Sequence, residues 1–465
     1  MKANRREFFK GIGASAMATA AFAGRPGFFS AHAADTSGYK ALVCVFLFGG
    51  LDNYDLLVPY DTTSYGEFQA ARPSLLSQYG SSRARSSLLA LSPLTSSALG
   101  GRQVALPPEM PQLKSLFDAG NAAFVANVGP LIEPITLTQF QNGSARVPAR
   151  LFSHNDQQTT WKASAPEGAQ FGWAGLFADA VLAAGANGSS PQFTAITVDE
   201  AGPFLTGRQT APYRISEAGA PEVRVFEELA MSSTPKSAEF SSMLRSNLGA
   251  SQFVGTHVLE QDMALKVSNG LSTNDTFSNA RASISPLSTA FGEGGLSAQL
   301  KAVAETISIR SQLSATRQVF FVGLGGFDTH SAQAFSLPPL LTELDSAIGA
   351  FQAAMAELGV VNDVTLFTAS DFGRTLSVNG DGTDHGWGGN HIVVGGSVMG
   401  GDIYGSVAPP VLGNSLDTGA GRVIPSLAVE QYASQLGSWF GLTSSELATA
   451  LPNLRNFDQN TPRFI

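Results

Sequence analysis

Three continuous apolar runs stand out along the chain, and each ends in a small-residue turn followed by acids or histidines. Ala41–Phe48 leads into Gly49-Gly50-Leu51-Asp52, and Gln318–Leu324 into Gly325-Gly326-Phe327-Asp328-Thr329-His330. Val364–Thr368 leads into Ala369-Ser370-Asp371-Phe372-Gly373-Arg374. Runs that are apolar at every position, rather than every second one, predict strands covered on both faces, as in a parallel sheet. Weaker strands are expected at Ala122–Asn127, Phe193–Val198 and Ile392–Val394. Between them, apolar residues at helical spacing predict helices over Pro111–Ala119, Trp173–Ala184, Leu296–Leu313, Pro338–Leu358 and Leu427–Phe440. This alternation argues for a doubly wound α/β sandwich, a mostly parallel central sheet with helices on both faces. Residues 220–295 are Ser-rich and polar with helical patches, and read as an inserted helical cap or lid. Ser81–Gly101 reads as a loop, no internal repeat is found, and residues 34–465 read as one α/β domain with insertions.

Composition narrows the setting. The chain has 465 residues, 43% of them hydrophobic, enough for a large core and too many for a disordered chain. Only 14% are charged and 49 are Gly, which suits a secreted protein with long surface loops. With 28 basic and 37 acidic residues the net charge is −9, which argues against general nucleic-acid binding.

The first residues carry an export pattern. Asn4-Arg5-Arg6-Glu7-Phe8-Phe9-Lys10 has the form of a twin-arginine signal, followed by a weakly apolar Gly11–Gly24 stretch and an Ala31-His32-Ala33 cleavage pattern. Residues 1–33 are therefore expected to be a twin-arginine signal peptide, with the twin-arginine translocase as partner during export and a periplasmic or secreted destination. Removing that leader takes away five basic residues and one acid, leaving 23 against 36. No later stretch reaches the ~18 continuous apolar residues of a membrane span, so the mature form is expected to lack one. The single cysteine, Cys44, lies inside an apolar run and reads as a core residue.

Ligands of open α/β sheets bind beyond the carboxyl ends of the strands. There Asp52, Asp328 with His330, and Asp371 would share one rim, together with His385 from the Gly-rich stretch Gly382–His391. That many acids repel one another unless a cation offsets them. A mixed carboxylate and imidazole set suits Zn²⁺, Mn²⁺ or Fe better than a pure Ca²⁺ cage. The expectation is thus one or two divalent ions (Zn, Mn or Mg/Ca) on Asp52, Asp328, His330, Asp371 and His385. Each of these residues alone reads as readily as a helix cap, a turn former or a hydrogen-bonded structural group.

The Gly-Gly-Leu-Asp52, Gly-Gly-Phe-Asp328-Thr-His330, Ser-Asp371-Phe-Gly-Arg374-Thr and Gly-Thr-Asp-His385-Gly motifs, in that order, resemble the DUF1501 family. That family is placed by remote similarity in the alkaline phosphatase–sulfatase superfamily. The resemblance implies a metal-dependent α/β fold acting on phosphate or sulfate esters. It makes Asp52 similar to the first-strand metal Asp, Asp328 and His330 to an Asp-plus-His pair, and His385 to a late metal His. Asp371 stands where an Asp-His pair is expected, with Phe372 in place of the imidazole; His391 is a substitute that no spacing requires. The superfamily nucleophile at a helix N-terminus has Ser153 as its counterpart, with His154 fitting the slot almost as well, and Ser153 reads equally as a helix cap. Arg374 reads evenly as a grip on an anionic substrate and as the partner of a structural carboxylate.

The function expected is an exported metal-dependent hydrolase of phosphate or sulfate esters, acting on a small or polymeric anionic ester. A non-catalytic periplasmic factor assisting assembly or export of a surface component is the alternative, and a mutase or transferase on the same scaffold a third.

Overall fold

The computed structural model describes residues 33–221, 224–232, 234–247, 257–459 and 463–465. The expected signal peptide lies outside the described residues except for Ala33. The described chain forms an α/β sandwich around a nine-stranded, mostly parallel sheet. Its strands are β1 (Lys40–Leu47), β2 (Ala122–Gly129), β3 (Ala195–Thr197), β4 (Tyr213–Arg214), β5 (Arg317–Leu324), β6 (Val364–Ser370), β7 (Gly389–Val394), β8 (Ile403–Gly405) and β9 (Leu427–Ala428). The order across the sheet is β8-β2-β7-β6-β1-β5-β3-β4, with β9 paired to β2. The three apolar runs are the adjacent central strands β6, β1 and β5, all parallel. Strand β7 runs antiparallel to both β2 and β6, which makes the sheet mixed.

Alternate residues of β1 feed two cores, which is why the run is apolar throughout. Ala41, Val43, Val45 and Leu47 pack with helices α1 (Pro111–Asp118), α4 (Gly295–Ser308) and α5 (Gln333–Glu357). Leu42, Cys44 and Phe46 face α2 (His154–Ala163), α3 (Trp173–Ala183) and α6 (Val429–Phe440). Cys44 is fully buried and its thiol pKa is pushed up by that burial.

Helix α5 starts at Gln333, ahead of the prolines at which the sequence pattern begins it, and carries Pro338 and Pro339 inside. The two missing N–H groups remove bonds to the first turn, and the buried Gln333 side chain anchors that turn instead. Within residues 220–295 lie helices Arg224–Met231, Pro235–Asn247 and Val258–Ala282. The last is tied to the sheet edge by Phe277, whose ring packs against Phe193 and Tyr213. Among the described residues no helix is long and apolar enough to cross a membrane.

Candidate metal centre

Strands β1, β5 and β6 end in register, Leu47 lying opposite both Leu324 and Ser370, so the loops beyond them share one edge of the sheet. Two glycines let those loops touch. Gly49 sits at φ +113, and a Cβ there would fall 2.2 Å from the backbone nitrogen of Asp328. A Cβ on Gly382 would fall 2.3 Å from the Thr329 carbonyl oxygen, so the Arg374–Val378/Thr383–His385 ribbon packs directly on the Thr329–His330 backbone. These contacts bring His330 and His385 together. Helix α2 then delivers His154 from its first residue. Just before it, the non-glycine residues Arg150 and Phe152 adopt φ +47 and +73. Strained backbone of this kind persists where surrounding structure holds it.

The ligand atoms of His154, Asp328 and His385 lie within 4.8 Å of one another. Asp328 is the hub: its Oδ2 is 3.4 Å from His154 Nε2, and its Oδ1 is 3.2 Å from His385 Nε2 and 3.1 Å from His330 Nε2. His330 Nε2 also lies 2.8 Å from His385 Nε2. On the far side of each ring, Nδ1 meets an oxygen. For His154 it is Asp371 Oδ2 at 2.6 Å, for His330 Asp384 Oδ1 at 3.1 Å, and for His385 the Phe152 carbonyl at 2.8 Å. An imidazole that donates from Nδ1 presents an Nε2 lone pair, the arrangement that second-sphere acceptors impose on metal-binding histidines. The donor set of imidazoles and one carboxylate fits a divalent transition metal.

Electrostatics follow from the same contacts. The hydrogen bond that His154 donates to Asp371 raises the His154 pKa, against the opposing effect of partial burial. Burial lowers that of His385. Burial also works to raise the Asp328 carboxyl, but the Arg374 hydrogen bond and charge, with His154 and His330, hold it below the usual carboxylate range.

Not every residue of the expected set reaches the cluster. Asp52 is buried and points inward: Arg72 grips both its oxygens at 2.7 and 3.0 Å, and Gln333 Nε2 donates to Oδ2 at 2.7 Å. It also caps the short helix Asn53–Leu56 by accepting from Tyr54 N. A guanidinium supplies the opposing charge there. Asp371 lies behind His154 and accepts a second hydrogen bond from Gln158 Nε2 at 2.9 Å, while its buried Oδ1 has no hydrogen-bond partner among the described residues.

Arg374 is buried, and its guanidinium bonds Asp328 Oδ1, Gly49 O and Thr383, the contacts of a structural partner. The Ser153 hydroxyl bonds Asp156 Oδ2 and makes no side-chain cap to the helix. Phe372 packs its ring on His154 and His385, at 5.0 and 4.5 Å between centroids. His154 stands beside this position, its Nδ1 2.6 Å from Asp371 Oδ2. His391 is buried between Trp161 and Tyr432, away from the cluster, and its pKa falls to about 3 through desolvation.

Several site-building residues escape sequence reasoning. Asp384, in the Thr383–His385 ribbon, and the Phe152 carbonyl orient imidazoles through an approach that no local pattern encodes. Gln158 and Lys162 follow His154 at i+4 and i+8, one readable helix face. Lys162 is buried, its ammonium 4.4, 4.9 and 5.2 Å from the ring centroids of Phe46, Phe48 and Phe321, and desolvation lowers its pKa.

Among solved structures the chain is similar to Ps i-CgsB at 9% identity and a TM-score of 0.37, over 91% of this chain and 78% of that one. The complex of Ps i-CgsB with k-i-k-neocarrahexaose gives 8% identity and 0.35, over 92% and 78%. Both likenesses are too slight to carry chemistry from one chain to the other. No curated protein matches the chain. A family model described as a protein of unknown function, DUF1501, matches residues 39–412. That match takes in β1 through β8 together with every residue of the histidine–aspartate cluster, and the protein belongs to the DUF1501 family.

Proposed function

We propose that this protein is an exported metal-dependent hydrolase of phosphate or sulfate esters, its ion held by His154, Asp328 and His385, with His330 as the adjoining imidazole. One observation carries the reading: three imidazoles turn Nε2 toward Asp328 while each Nδ1 meets an oxygen acceptor. When bound, a divalent ion here supplies positive charge toward an anionic ester and Lewis acidity toward water. The chain's own groups set the stage. Asp371 keeps the proton of His154 on Nδ1, the Phe152 carbonyl does the same for His385, and Arg374 holds Asp328 in place. The hydroxyls of Ser153, Thr159 and Thr160 bond Asp156 Oδ2, Asn155 O and Asp156 O within their own helix. The reading therefore assigns attack to water rather than to Ser153. The ester class rests on the family's superfamily placement, and export on the Arg5-Arg6 leader.

The test is the metal content of the mature protein purified without chelator, beside His154→Ala and Asp371→Asn, followed by turnover of p-nitrophenyl phosphate and p-nitrophenyl sulfate. We expect one ion per chain in the wild type, none retained by His154→Ala, and affinity about 10–100-fold weaker in Asp371→Asn. Protein that binds no Zn²⁺ or Mn²⁺ sinks the metal reading. Metal bound without turnover of either ester moves the non-catalytic assembly factor ahead.

A further inference from the structure

We infer that Arg422, beyond the residues matched by the family model, is a positioning residue that clamps His385 to the segment leading into His154. The inference rests on the metal-centre reading above. The guanidinium makes two contacts that meet at one hydrogen bond. Arg422 Nε donates to the backbone carbonyl of His385 at 2.9 Å, and its guanidinium carbon lies 5.3 Å from the centroid of the Phe152 ring. Between those contacts runs the bond from His385 Nδ1 to the Phe152 carbonyl, 2.8 Å long.

Phe152 presents that carbonyl from a backbone at φ +73, a conformation unfavourable for a bulky residue. Something must hold it there, and the stacked guanidinium does so on its ring face. Phe152 is two residues before His154, so the clamp sets the spacing between two of the three imidazoles. Arg422 is itself fixed by its loop. Asp417 Oδ1 accepts from the amides of Gly419 and Gly421, and its Oδ2 from the amide of Gly413, each at 2.7 Å. Arg422 Nη1 then reaches the Gly419 carbonyl at 3.3 Å. A planar fork with a donor at Nε suits this double contact, and an ammonium does not.

The experiment titrates the full mature chain, metal-free, with Co²⁺ and Zn²⁺, and compares wild type with Arg422→Ala and Arg422→Lys. The readouts are dissociation constants and the visible Co²⁺ spectrum, which a purely structural role elsewhere would leave alone. Expected is a 10–100-fold loss of affinity in both variants, with a displaced Co²⁺ band and a folded chain in Arg422→Lys. If Arg422→Ala does not fold, Arg422→Lys decides. Wild-type affinity and spectrum in Arg422→Lys overturn the clamp. Absence of Co²⁺ and Zn²⁺ binding in the wild type overturns instead the metal centre on which it rests.

Discussion

At the scale of single residues, chemistry here is set by what stands behind each side chain. His154, His385 and His391 share one imidazole but not one environment. His154 has a carboxylate behind it, His385 a carbonyl, and His391 aromatic rings on two sides. The buried His391 yields a pH prediction with a definite sign. Its pKa is about 3 in the folded chain, below the unfolded value near 6.5. Between those values the unfolded state binds the extra proton, so stability is full above about pH 6.5 and falls as the pH drops toward 3. The slope from this group approaches at most about 1.4 kcal/mol per pH unit. Urea midpoints from pH 7 to 4 should therefore decline less steeply in His391→Phe, which keeps an aromatic ring against Trp161. An unchanged slope would assign the acid limb to other groups.

Elements matter here for the surfaces their ends bring together. The start of α5 is the clearest instance. Gln333 makes four bonds: Nε2 donates to Asp52 Oδ2 at 2.7 Å and Asp55 Oδ2 at 3.1 Å, and Oε1 accepts from Thr383 at 2.7 Å and Thr329 at 3.1 Å. One amide thus joins helix α5, the loop after β1, the loop after β5 and the ribbon that carries His385. Gln333→Ala strips partners from two buried carboxylates and two hydroxyls, and should cost about 1–3 kcal/mol in a urea titration. Metal affinity should fall with it, because the same amide ties Thr329 to Thr383. Full stability in that variant would mean that Arg72 and Arg374 hold the loops without it. Sequence pattern finds α5 from its apolar spacing, but not its first turn, since a buried glutamine five residues ahead of two prolines gives no periodic signal.

For the molecule as a whole, the proposed metal centre links ion binding to the fold. Ligands that bind only the folded chain stabilise it by mass action, by about 2.7 kcal/mol when free ligand is 100 times Kd. Thermal melts of the metal-free protein with rising Zn²⁺ should shift upward with concentration, and the shift should vanish in His385→Ala. A concentration-independent melting temperature in the wild type would mean that these imidazoles bind no ion in the native state.

The sequence alone determined the two-sided burial of β1, β5 and β6, because unbroken apolar runs admit few other solutions. It also determined that Asp328, His330 and Asp371 lie just beyond the ends of those strands, since small residues close each apolar run there. Only the tertiary structure decided which of those groups converge. Asp52 has the same sequence surroundings as Asp328, yet it meets Arg72, twenty residues away, and is neutralised inside the protein. His154 carries no strand–glycine signature, yet the start of α2 places it on Asp371. The difference is physical: a strand pattern fixes where a side chain leaves the backbone, but its charge is met by whichever distant group the packing brings within about 3 Å.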